Sequence, residues 1–125
     1  RCTGPAAKKE TTVRSLHSMI LIIGGSFQGK KAYAAQICGG GTVLSDFQDR
    51  VRAVLEAGED IERFTRQILA NPPAVITLDE VGCGIVPMEK AERDYREAVG
   101  HVGQMLAAAA TEVYRVQCGI ASRIK

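Results

Sequence analysis

No apolar run in this chain approaches the length of a membrane helix. The strongest, Met19-Ile20-Leu21-Ile22-Ile23, stops at Gly24-Gly25. The same run is too short for a secretory signal and has no cleavage site behind it. An excess of one charge is also missing: 16 basic residues face 14 acidic ones. Electrostatics therefore argues for neither nucleic acid nor an anionic membrane as a partner. Paired cysteines are lacking as well. Cys2, Cys38, Cys83 and Cys118 are scattered without C-x-x-C spacing, and histidine occurs only at His17 and His101. That pattern argues against a structural zinc site, and a chain of this size needs no disulfide framework. The expectation is a reduced, cytoplasmic protein. No internal repeat is visible.

What is present is an ordinary globular composition. The 125 residues are 46% apolar, enough for one domain with a real core. Directly behind the first apolar run comes Gly24-Gly25-Ser26-Phe27-Gln28-Gly29-Lys30-Lys31. A strand, a loop of the form G-x-x-x-x-G-K and a following helix make a phosphate cradle. The glycines let the backbone wrap an anion, amides at the helix start point at it, and the lysine adds a full charge. One position departs from the pattern. A Ser or Thr after the lysine would ligate Mg²⁺, and this chain has Lys31. Magnesium retains several waters, so a water could replace the hydroxyl. An ammonium about 4 Å from the ion, however, costs on the order of 4 kcal/mol at an effective dielectric near 20. Lys31 must swing away or the ion binds poorly. A second cation also favours phosphate directly, so binding should survive better than turnover.

Arg1–Ser18 show no sustained period and read as a disordered tail, with Met19 as the start of residues 19–125, a nucleotide-binding domain. A short β-like arm through Thr12, Val13 and Leu16 is the alternative. From Met19 onward strands and helices alternate. Strands are expected at Met19–Ile23, Thr42–Ser45, Ala74–Leu78 and Glu112–Val116. A short helix is expected over Lys30–Cys38. A long amphipathic one runs from Phe47 to Leu69, weakened at Gly58 and ended by Asn71-Pro72-Pro73. A further helix carries Ala91, Tyr95, Ala98, Val99, Val102, Leu106 and Ala109. This alternation predicts an α/β fold with a mostly parallel sheet, whose ligands bind beyond the carboxyl ends of the strands.

Two acidic positions accompany strand ends. Asp46 serves either as a helix N-cap or as an acid beside the phosphate loop. Asp79-Glu80 is the better metal or base candidate, against a solvated turn. Arg93 and Arg96 lie three apart on one helix face and could clamp a phosphate or carboxylate, or pair with Glu89, Glu92 or Glu97. Cys83 lacks an activating neighbour and reads as inert, and His101 as a helix-surface residue.

The loop Glu80-Val81-Gly82-Cys83-Gly84-Ile85-Val86-Pro87, taken with Gly24–Lys30 and the ending Val113–Lys125, resembles a known family. It is the bifunctional adenosylcobinamide kinase / adenosylcobinamide-phosphate guanylyltransferase of cobalamin biosynthesis. Arg93, Tyr95, Arg96, Glu97, Gly100, Gln104, Gly119, Ile120, Ile124 and Lys125 fall in step with it, and Asp46 matches its mid-chain acid. The resemblance implies a P-loop NTPase-like three-layer domain, a transferase that binds ATP or GTP through Gly24–Lys31 and phosphorylates a corrinoid. Lys30, Glu80 and Asp46 would be catalytic, Asp46 and Asp79 would hold Mg²⁺, and a homo-oligomer is implied. The chain also departs from the family. Gly39-Gly40-Gly41 replaces a strand and the segment whose histidine becomes guanylylated. Asp79 and Gly103 stand where the family has asparagine. The guanylyltransferase step is therefore not expected. A non-catalytic nucleotide-binding or partner module derived from the family is the alternative.

Overall fold

Aliphatic and β-branched side chains crowd β1 (Ile20–Gly24) and β3 (Val75–Asp79), and both strands are buried almost throughout. Strands covered on both faces belong in the middle of a parallel sheet. The structure, a computed structural model, describes residues 18–80 and 89–125. Its sheet also contains β2 (Val43–Leu44), β4 (Glu112–Gln117) and β5 (Ile120–Arg123), in the order β2-β3-β1-β4-β5. β1 pairs in parallel with β3, Ile22 opposite Thr77, and with β4, Ile22 opposite Tyr114. Only the β4–β5 pair is antiparallel.

Four helices accompany the strands among the described residues: α1 (Lys30–Ile37), α2 (Phe47–Glu56), α3 (Ile61–Ala70) and α4 (Lys90–Ala109). Side-chain alternation along the strands divides the core in two. Met19, Leu21, Ile76, Leu78 and Val113 meet Phe47, Val51, Val99, Val102 and Leu106 from α2 and α4. On the other face Ile20, Ile22, Val75, Tyr114 and Val116 pack with Ala34 of α1. The sheet is thus sandwiched between helical layers, the three-layer arrangement expected of the sequence.

The long helix expected over Phe47–Leu69 is in fact two helices. Gly58 does more than weaken it. With φ 73° it occupies the left-handed region that favours glycine. The chain turns there, Glu59 N–H donating to the Val54 carbonyl at 3.0 Å and Gly58 N–H to that of Leu55 at 3.0 Å. Asp60 then restarts the helix as an N-cap, its Oδ1 accepting from Glu62 N at 3.0 Å and Arg63 N at 3.4 Å. The sequence reading also left β5 unassigned. Cys118, at φ 51°, and Gly119, at φ 76°, form the tight turn that sends the chain back along β4. Lys125 closes the fold, its ammonium donating to the carbonyls of Ala107 and Ala108 at the end of α4, at 2.8 and 3.1 Å.

Consecutive connections leave β1 towards β2 and β3 towards β4, so they part in opposite directions. The crevice at the carboxyl ends of β1 and β3 is the switch point where such sheets bind ligands.

Leu106 is wholly buried between α4 and the sheet. Leu106→Ala is expected to lower stability by about 2–5 kcal/mol in urea unfolding, because the cavity cannot collapse against a strand backbone. A loss well below 1 kcal/mol would contradict this placement of the core.

Candidate nucleotide-phosphate site

The loop from Gly25 to Gly29 joins β1 to α1, with left-handed backbone at Phe27 and Gly29. Gly29 is the N-cap of α1 at φ 99° and has no side chain to cap the helix, which leaves the first amides of α1 facing the loop. The loop also lies hard against β4 and the turn after it. A Cβ at Gly24 would sit 2.5 Å from the Val116 carbonyl oxygen, and one at Gly29 would sit 3.2 Å from Gly119 Cα. Gln28 ties the two together: its side-chain Oε1 accepts from Cys118 N–H at 2.6 Å and its carbonyl from Gly119 N–H at 2.8 Å. Phe27 sits wholly exposed on the loop with a left-handed φ of 60°, an uncommon conformation for a bulky residue.

A cavity of about 450 Å³ opens above the loop. Ser26 through Ala32, Asp46, Gln48, Asp49 and Asp79 line it. Its two ammonium groups are both held by carboxylates. Lys30, 5% exposed, places Nζ 2.6 Å from Asp79 Oδ1 and 2.6 Å from the Gly25 carbonyl. The other carboxylate oxygen, Oδ2, accepts from Ser26 Oγ at 2.9 Å. Lys31 reaches Asp46 Oδ2 at 2.8 Å.

Asp46 is itself fixed in place. Its backbone is left-handed, φ 56°, and its N–H donates at 2.8 Å to Oγ1 of Thr77, which is fully buried in β3. Asp46 stands at the N-cap position of α2, but its side chain makes no capping bond there and lines the cavity beside the loop instead. The hydrogen bond from Lys31 holds the Asp46 carboxyl below the usual carboxylate range, outweighing partial burial. The same contact raises the Lys31 ammonium above its ordinary value. Gln48 joins the halves of the site, donating to Asp46 Oδ1 at 3.5 Å and accepting from Asp79 N–H at 3.0 Å. Sequence reasoning missed Gln48, Thr77 and the bracing role of Gln28. The visible signal was that Gln48 follows Asp46 by two residues.

The other expected site residues are placed differently. Asp79 lies inside β3, one residue earlier relative to the strand end than expected. Glu80 accepts from Arg115 Nε at 3.0 Å and is not among the residues lining the cavity. Arg93 and Arg96 are on the first turns of α4 and also line no part of it. Glu92 beside them is taken by Arg52, Nη1 to Oε2 at 3.0 Å, while that guanidinium lies 3.9 Å above the Tyr95 ring. His101 is on the helix surface, 3.7 Å from Glu62. The segment 81–88, with most of the distinctive glycine loop and Cys83, and the residues 1–17 lie outside the described residues.

The donor set does not fit a resident Mg²⁺ as it stands. The expected hydroxyl is a lysine, Asp46 already accepts from an ammonium, and Asp79 is engaged by Lys30 and Ser26. Among the described residues no three His, Cys, Asp or Glu side chains converge on a common point. No described helix is long and apolar enough to cross a membrane.

Residues 41–124 match the sequence profile of the family described as "Cobinamide kinase / cobinamide phosphate guanyltransferase". Two relatives of the same name, "Bifunctional adenosylcobalamin biosynthesis protein CobU", come from Escherichia coli (strain K12) and Salmonella typhimurium (strain LT2). Each is 49% identical over 51 residues, 41% of this chain and 28% of the relative. The aligned stretch is therefore under a third of the relatives' length.

The pair Lys31–Asp46 makes a pH-dependent contribution to stability. Asp46 has a lowered value in the fold, so its share is complete above the ordinary 3.8 and is lost as pH falls through the lowered value. Lys31 is raised, so its share is complete below 10.5 and is lost as pH climbs through the raised value. The Tm difference between wild type and Asp46→Asn is expected to be small, because the pair is solvent-screened, and flat from about pH 5 to 9. It should shrink below that range in thermal melts. A difference that grows on acidification would contradict the pairing.

Proposed function

Because the chain belongs to the cobinamide kinase / cobinamide phosphate guanyltransferase family, we propose that it is a cobalamin-biosynthesis transferase that phosphorylates adenosylcobinamide with ATP or GTP. The observation that carries this reading is the cavity above Gly24–Lys31, where a buried lysine and the start of α1 converge. The phosphates would lie in the loop, and Lys30 would leave Asp79 for the charge developing on the transferred phosphoryl. The hydroxyl of the aminopropanol arm attacks the terminal phosphorus, the bond to the bridging oxygen breaks, and a nucleoside diphosphate departs. The hydroxyl proton passes to a carboxylate, Asp46 in the cavity or Glu80 once it is released from Arg115. Phosphoryl transfer depends mainly on positioning and electrostatics, so a site with these departures retains slow turnover.

Arg93 and Arg96 remain proposed contacts for the substrate's anionic groups, and self-association is proposed on the resemblance alone. The Mg²⁺ assigned to Asp46 and Asp79 has no place in this scheme, for the reasons of geometry given above. The guanylyltransferase step is not proposed, since no histidine occurs between His17 and His101. A second reading, a non-catalytic nucleotide-binding module, draws support from Lys31 in the hydroxyl position.

Adenosylcobinamide incubated with the protein and either nucleotide, with and without Mg²⁺, is expected to yield a phosphorylated corrinoid by chromatography and mass spectrometry. Nucleotide binding without that product would leave the binding module. Labelled GTP should leave no stable protein–GMP adduct. Lys30→Ala is expected to weaken nucleotide binding by about tenfold or more, from loss of a charge-assisted hydrogen bond. Unchanged affinity in calorimetry would count against the cradle.

A further inference from the structure

We propose that the Lys31 ammonium takes the place a divalent cation holds in such sites, so that this chain binds the phosphates of a nucleoside di- or triphosphate without metal. The inference rests on the phosphate-site reading above and extends it. Its geometry is that of a cation bridge with one side already made. Asp46 is the carboxylate that would face the ion, and Lys31 Nζ stands 2.8 Å from its Oδ2.

Several features make the position a built one. The Asp46 backbone is anchored to buried Thr77, and its Oδ1 accepts a long hydrogen bond from Gln48 at 3.5 Å, so the carboxylate is held on the cavity side of the loop. Lys31 is on the first turn of α1 and lines the same cavity as Lys30, so both ammonium groups border the space a phosphate would fill. An ammonium has three N–H donors. One is used on Asp46, which leaves two for phosphate oxygens. The side chain is largely exposed and its four-carbon stem is flexible, so it reaches a ligand without moving the backbone. A divalent ion entering beside it would meet a like charge and find Asp46 already engaged.

Isothermal titration with GTP and with GDP, each in EDTA and in Mg²⁺, tests the idea on the unmodified chain. The expected result is a Kd in EDTA within about fivefold of that in Mg²⁺. A larger advantage for Mg²⁺ would overturn the inference while leaving the phosphate site standing. Binding in neither buffer would overturn the phosphate reading, and the inference with it. Lys31→Ser is expected to weaken metal-free binding by about tenfold or more, with Mg²⁺ recovering much of it, whereas Lys31→Arg should keep metal-free binding. Equal metal-free affinity for wild type and Lys31→Ser would also overturn it.

Discussion

A buried ammonium group must be neutralised, and the site is arranged around how Lys30 meets that requirement. Asp79 supplies the opposite charge from within β3, 2.6 Å away, and its second oxygen holds Ser26 of the loop. One carboxylate therefore fixes both the charged end and the hydroxyl of the cradle. On the proposed reading, a phosphate would compete with it for Lys30. A ligand must be a better partner for Lys30 than a carboxylate already in place, and a phosphate chain with more charge and more acceptor oxygens meets that condition. Asparagine at this position would accept less charge and leave the ammonium less satisfied. The aspartate therefore suits a loop that keeps its shape when empty.

Much of this was legible in the sequence. The apolar runs Met19–Ile23 and Ala74–Leu78 marked the two central strands, because a strand buried on both faces needs continuous aliphatic residues. The G-x-x-x-x-G-K spacing located the cradle, because only glycine tolerates the backbone at Gly24 and Gly29. Gly58 was misjudged because a glycine inside a helical pattern reads as a weak link, and the decisive Asp60 cap works through side-chain geometry. β5 escaped notice since Ile120–Arg123 is mostly exposed at the sheet edge and has no apolar run to announce it. The ties made by Gln28, Gln48 and Thr77 join residues 31 to 90 positions apart, which no local pattern encodes.

The family match begins at Gly41 and so takes in Asp46, Asp79, Glu80 and the helix with Arg93 and Arg96. The phosphate loop precedes it, and its assignment rests on spacing and on the packing around Gly29. These are independent lines of argument that meet at one crevice. Lys31 and Asp46 come from the two sides of that boundary and touch across the cavity.

At Gly29 and Gly119 two segments ninety residues apart approach backbone to backbone, beside the tie made by Gln28. A methyl group at Gly29 would press on the hairpin turn, and a shifted turn would loosen the hold on Gln28. Related chains should therefore vary these two positions in concert. Reshaping the hairpin edge would retune nucleotide affinity without touching any group that meets the ligand.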